Sequence, residues 1–150
     1  MNIVDIIKEQ HKEFRMLMDQ VRDTTPEDPE ERGRLFQLTR SKLNAHGRAE
    51  ERVLFPRMEQ DERTRQAALE SWEWHAASSN LMRSLIQLSP VDELWMPKWL
   101  VIRGTILTHL DAEETRALGP LKDVFDQEEL ERMGRDFLVE EKAVKSARMD

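Results

Sequence analysis

Cysteine is missing from all 150 residues of the chain. That absence excludes disulfides, thiolate nucleophiles, iron–sulfur clusters and cysteine-based zinc sites. Tyrosine is missing too, which removes tyrosyl-radical chemistry. No apolar run approaches the roughly 18 residues that a membrane span needs. With 30 acidic against 23 basic residues the net charge is −7, so the electrostatic footprint of a nucleic-acid or anionic-membrane binder is lacking. The opening MNIVDIIKEQ carries Asp5 and no basic leader, so no secretory signal is expected. What remains is 39% apolar and 35% charged, the balance of one soluble domain, expected in the cytoplasm, with a substantial core.

Five glycines and six prolines fall between long segments of helical period, and no strand-like alternation of useful length appears. Residues 3–22 place Val4, Ile7, His11, Phe14, Met18 and Val21 on one stripe. Asp28 is an N-cap candidate before Pro29, and Glu30 and Glu31 favour the positive end of a helix dipole. This second helix carries Leu35, Leu38, Leu43, His46, Glu50 and Val53 inward, and Pro56 should end or kink it. A third helix, from Asp61 or Thr64 to Leu88, has the stripe Ala68, Trp72, His75, Ser79, Met82 and Ile86. A fourth opens at Pro97, directs Trp99, Ile102, Ile106, His109 and Glu113 inward, and closes at Gly119-Pro120. Asp126, with Glu129 three residues on, resembles a cap for a fifth helix over 127–147. The expected fold is all-α: an antiparallel up-down-up-down four-helix bundle over residues 1–120, with an additional C-terminal helix in 121–150 on the same domain. That last helix is expected either to cap the bundle or to pair two copies of the chain.

The four histidines, His11, His46, His75 and His109, lie one on each of the first four helices, each on the apolar stripe. His46 and His109 are followed at i+4 by Glu50 and Glu113. Such a pair sits about 40° apart around a helix and one turn along it, so imidazole and carboxylate can reach a common point. Buried carboxylates need a partner, and the inward stripes hold no lysine or arginine. A pair of divalent metal ions meets the need, each taking two histidine nitrogens, with both glutamates bridging. Any one histidine on an apolar face is ordinarily just a core residue; the joint pattern carries the argument.

The arrangement H…HxxxE…H…HxxxE resembles the hemerythrin-like, or HHE cation-binding, family, as do the words IIKEQHKEF, HGRAEERVLFP and HLDAEETRALGPL. The resemblance spans roughly residues 1–120. It implies a non-haem, carboxylate-bridged di-iron centre with His11, His46, His75 and His109 as terminal ligands and Glu50 and Glu113 as bridges, completed by an oxo or hydroxo group. Oxygen-carrying hemerythrins have a fifth histidine where this chain has Ser79, which implies a more open coordination position and favours reaction with small ligands over reversible carriage. The expected function is to bind or react with dioxygen, nitric oxide or peroxide at two iron ions, with turnover undecided. Iron sensing or storage, or a structural module holding zinc or no metal, are the rival readings. Glu51 and Glu114, one residue past the proposed bridges, should point aside towards a neighbouring helix or solvent, direct ligation being the alternative. Asp5 is read as surface or capping, Trp72 as a wall of the metal pocket, and Met16, Met18 and Met82 as gap-fillers.

Overall fold

The structure, a computed structural model, describes residues 1–149. Helix α1 spans Ile3–Arg22, α2 Pro29–Ala49, α3 Phe55–Met58, α4 Glu62–Ile86, α5 Trp95–Ala112, α6 Leu121–Val124 and α7 Gln127–Met149. No strand occurs among the described residues. The starts of α1, α2 and α7 are held by side-chain caps that satisfy otherwise unpaired amides. Asn2 accepts from the Asp5 amide at 3.0 Å, Asp28 from Glu31 at 3.2 Å and Asp126 from Glu129 at 2.8 Å.

Two π-helical turns, Glu50–Leu54 and Glu113–Ala117, extend α2 and α5. In them the Glu50 carbonyl accepts from the Phe55 amide and the Glu113 carbonyl from Leu118. The sequence predicts a break at Pro56, but the rod runs on to Met58. A proline ring crowds the carbonyl four residues back, and the widened turn just upstream moves the ladder to an i→i+5 pattern before the ring arrives. The fourth helix likewise starts two residues earlier than Pro97, which sits comfortably inside a first turn because its missing amide has no helical partner there.

α1 packs against α2 and α5, and α4 against α5, whereas α2 and α4 scarcely touch. The core is in two parts. One gathers Ile3, Ile7, Leu54, Phe55, Met58 and Leu118, with Met133 and Phe137 from α7. The other gathers Phe14, Met18, Phe36, Leu85, Trp95 and Trp99. On α1, α2 and α4 the histidine lies between residues of the first part and residues of the second, and His109 of α5 lies between Ile106 of the second and Ala117, just beyond the helix, of the first, so the imidazoles form a layer between two apolar ends. Leu38, Trp72 and Ile86, expected to face inward, are 38%, 37% and 39% exposed. Trp72 and Ile86 stay open because they face the separated α2–α4 side.

α7 lies along α1 and α2. Gly134 makes the close approach possible, since a Cβ there would meet the Met1 carbonyl oxygen at 2.7 Å and the Ile3 nitrogen at 3.1 Å. At the far end Arg32, 3% exposed, donates to the Thr24 and Pro90 carbonyls and stacks on Trp95, joining two connections. Among the described residues no helix is long and apolar enough to cross a membrane.

Candidate metal centre

α1, α2, α4 and α5 bring His11, His46, His75 and His109 to one level. Glu50 and Glu113 are the opening residues of the two π turns. The extra backbone residue in such a turn shifts its side chains relative to an α-helix, and π turns recur at functional sites for this reason. Both glutamates are buried, at 0% and 2% exposure.

The polar atoms converge without pairing. His11 Nε2 lies 3.2 Å from Glu113 Oε1, and His46 Nε2 and His75 Nε2 each lie 3.3 Å from Glu50 Oε1. Yet His11 Nε2, His46 Nε2 and all four oxygens of Glu50 and Glu113 are buried with no hydrogen-bond partner among the described residues. Six such atoms at one point would be costly if nothing bound them. Their spacing has a ready explanation: donors about 2.1 Å from one ion and 90–109° apart lie about 3.0–3.4 Å from each other. Two sets of ligand atoms meet this condition, His11, His46, Glu50, Glu113 and Glu50, His75, His109, Glu113, each set lying within 4.8 Å. Both contain Glu50 and Glu113. The donor chemistry, imidazole with carboxylate, suits a first-row transition metal. The chain thus carries a buried histidine–glutamate cluster fit to hold metal.

Behind the cluster, Glu51 Oε2 is 2.8 Å from His75 Nδ1, and Glu114 Oε1 is 3.2 Å from His11 Nδ1. Arg48 stands 3.5 Å from Glu51, and Arg15 contacts Glu114 at 3.2 Å. A carboxylate at Nδ1 fixes the imidazole tautomer so that Nε2 presents its lone pair to the centre. His46 gets the same help from further away. Its Nδ1 donates to Gln10 Oε1 at 2.6 Å, and Gln10 Nε2 donates to Glu141 of α7 at 2.6 Å. His109 is the exception. Its Nδ1 has no partner among the described residues, and Trp74 stacks against its ring at 5.8 Å.

Protonation follows the crowding. Burial, aided by repulsion from His46, pushes His11 down to about 4. Burial does the same to His109, also to about 4, outweighing the pull of Glu50. For His75 burial is outweighed by its contacts with Glu50 and Glu51, and the imidazole rises to about 9. Burial also opposes charge on Glu50, but His46, His75 and Glu113 beside it hold it well below the usual carboxylate range. Burial and repulsion from Glu50 drive Glu113 well above that range. Two touching buried carboxylates without a cation keep one proton between them.

The two ends of the cluster face different surroundings. Phe14 packs edge-on to His46 at 4.9 Å, and Phe137 of α7 does so at 5.6 Å, while His11 is fully buried. Between α2 and α4 lies a cavity of about 500 Å³ lined by His46, Glu50, His75 and His109, together with Gly47, Trp72 and Ser79. Ser79 lines the same cavity as the cluster but is exposed and belongs to neither ligand set.

All six residues singled out by spacing are brought together. The Glu51 and Glu114 carboxylates point aside onto histidines of neighbouring helices. The word H-x-x-A-E-E, present at 46–51 and again at 109–114, is the signal that could have assigned them as a related pair. Gln10 and Glu141 had no such signal, because 131 positions separate them.

The family description "Hemerythrin HHE cation binding domain" matches residues 2–121. The chain is 26% identical over 149 residues to a DNA nickase of Nostoc sp. (strain PCC 7120), covering 97% of this chain and 40% of that protein. It therefore spans well under half of that relative's length. In solved structures its fold is similar to a hemerythrin HHE cation binding domain-containing protein from Mycobacterium kansasii. There the TM-score is 0.85 at 18% identity, covering 99% of this chain and 90% of the other.

Proposed function

The chain belongs to the hemerythrin HHE cation-binding domain family, and on that footing we propose that it is a non-haem di-iron protein that binds or reacts with a small ligand, dioxygen, nitric oxide or peroxide. The observation that carries the reading is the pair of ligand sets sharing Glu50 and Glu113. On this reading His11 and His46 would hold one iron and His75 and His109 the other, with Glu50 and Glu113 available to both. Bound iron would supply redox-active positions for the small ligand.

The rest is the work of the chain's own side chains. Glu51, Glu114 and the Gln10–Glu141 pair hold three imidazoles with Nε2 facing the centre. Phe14 and Phe137 pack edge-on to His46 and hold its ring from the side of α1 and α7. Ser79 stands where oxygen-carrying hemerythrins have a fifth histidine, so an ion held by His75 and His109 would have one protein ligand fewer, and the cavity between α2 and α4 would give a small molecule its approach. A DNA substrate suits this chain poorly, because a net charge of −7 repels a polyanion.

The test is metal content per chain, by elemental analysis of untagged protein expressed with ample iron and purified without chelator. Close to two irons per chain is expected; little iron, with or without zinc, would overturn the reading. Hydrogen peroxide added to the loaded protein then separates the modes. Oxygen evolved over many turnovers marks an enzyme, and one stoichiometric oxidation marks a binding protein.

A further inference from the structure

The two ligand sets share Glu50 and Glu113, so any difference between them lies with their histidines. A metal on Nε2 requires the neutral imidazole to carry its proton on Nδ1, and that N–H needs an acceptor. In the first set both rings have one. His11 Nδ1 lies 3.2 Å from Glu114 Oε1, and Arg15 holds that carboxylate at 3.2 Å. His46 Nδ1 donates to Gln10 Oε1 at 2.6 Å, and the Gln10 amide is oriented by its own bond to buried Glu141, also 2.6 Å. In the second set only His75 is so held, by Glu51 Oε2 at 2.8 Å. His109 Nδ1 is buried and has no partner among the described residues. Trp74 stacks on the His109 ring at 29°, so the in-plane Nδ1–H runs along the indole face and gains no acceptor there. Free of metal, His109 can keep its proton on Nε2, towards Glu113 Oε2 at 3.7 Å. Metal at Nε2 forces the proton to Nδ1, where nothing takes it. Burial differs as well. All four residues of the first set are buried, whereas the His75 side chain is 15% exposed and lines the cavity between α2 and α4.

We propose that the two metal positions are unequal: the His11–His46 position fills first and holds its ion, and the His75–His109 position is the weaker, exchangeable one, with His109 the ligand that makes it so. Loss of the acceptor behind a metal-bound histidine weakens metal affinity about 10–100-fold, and a gap of that size is expected between the positions. The chain would then keep one ion firmly and take up the second only when free metal is plentiful. Glu114 and the Gln10–Glu141 pair are positioning residues for the first position, and Glu51 is one for the second. This inference rests on the di-iron reading for the number of ions, but the order of filling depends on the Nδ1 partners.

The experiment titrates Fe(II) anaerobically into metal-free protein in a calorimeter, for wild type and for two double variants that each keep one position. Wild type should take up two ions in two steps. His75→Gln/His109→Gln should keep one ion with the affinity of the first step. His11→Gln/His46→Gln should keep one ion bound about 10–100-fold more weakly. Equal affinities in the two double variants, or the tighter ion in His11→Gln/His46→Gln, would overturn the proposal. Two single substitutions in the otherwise intact chain decide the matter even if a double variant fails to fold. Glu114→Ala should weaken the first step and narrow the gap, and Glu51→Ala should weaken the second and widen it. A loss of packing alone would move both steps together, and that result would also overturn the proposal. Two ions of equal affinity in wild type would overturn this inference and leave the di-iron reading standing. Saturation at one ion that is lost in His11→Gln/His46→Gln and kept in His75→Gln/His109→Gln would do the reverse, and no bound ion would overturn both.

Discussion

Replacing Glu113 by glutamine separates the folding role of the cluster from its metal role. Glu113 is buried against Glu50 and its carboxyl is held well above the usual range. A group whose folded pKa is raised adds stability below its unfolded value, and that stability is lost as pH rises through the folded value. The share of metal-free stability that Glu113 contributes should therefore shrink as pH climbs from about 4.5 through neutrality. Glutamine mimics the protonated carboxyl at all pH values, so metal-free Glu113→Gln should be more stable than wild type at pH 7.5, by about 1–3 kcal/mol. For a chain of this size each kcal/mol is worth about 2–4 °C in Tm. With Fe(II) at a hundred times Kd under anaerobic conditions, wild type should gain about 2.7 kcal/mol. The variant should gain close to nothing, because Glu113 belongs to both ligand sets. Calorimetric melts with chelator and with iron measure both effects. A metal-free variant less stable than wild type, or one that keeps the full iron-induced shift, would refute the argument.

Loading should also release protons, because metal-bound imidazoles and carboxylates are deprotonated. At pH 7.5 His75, raised to about 9, and Glu113 are the groups that must give them up, so the binding enthalpy should vary with buffer ionisation enthalpy; no variation would contradict this. Metal-free Glu113→Gln, in which the opposing titration of Glu113 is removed, should lose stability as pH falls from about 6.5 towards 4, because burial lowers His11 and His109 to about 4; an acid melt of that variant flat across the window would count against it. Glu141→Leu should weaken metal affinity roughly tenfold by freeing Gln10 and His46 to turn, and an unchanged affinity would limit α7 to packing. Gly134→Ala should cost about 1–3 kcal/mol in a urea melt, since the new methyl would meet the Met1 carbonyl at 2.7 Å.

Helical period and i+4 spacing made the bundle and the six central residues legible, because both depend on positions close along one helix. The π turns were not, since HxxxE reads identically in α and π geometry. Only the crowding of Pro56 against the carbonyl four residues back hints at the first of them. Glu51 and Glu114 were read as pointing aside, yet their targets lie 24 and 103 positions away and depend on which helices become neighbours. The openness of the α2–α4 side was equally invisible. A stripe such as Trp72, Ser79 and Ile86 has the same period whether it meets a partner helix or a cavity.

The layer of histidines and glutamates between the two apolar parts divides the molecule into blocks that open separately. Each block has its own buried side chains, and only helix backbones and the polar layer join them. In native-state hydrogen exchange such blocks behave as separate cooperative units. Without metal, amides beside Leu54, Phe55 and Leu118 should exchange with one opening free energy and those beside Trp95, Trp99 and Leu85 with another. With metal bound to donors from α1, α2, α4 and α5 and the turns that extend them, neither block should loosen without breaking ligation, and the two sets of amides should converge on a single slow rate.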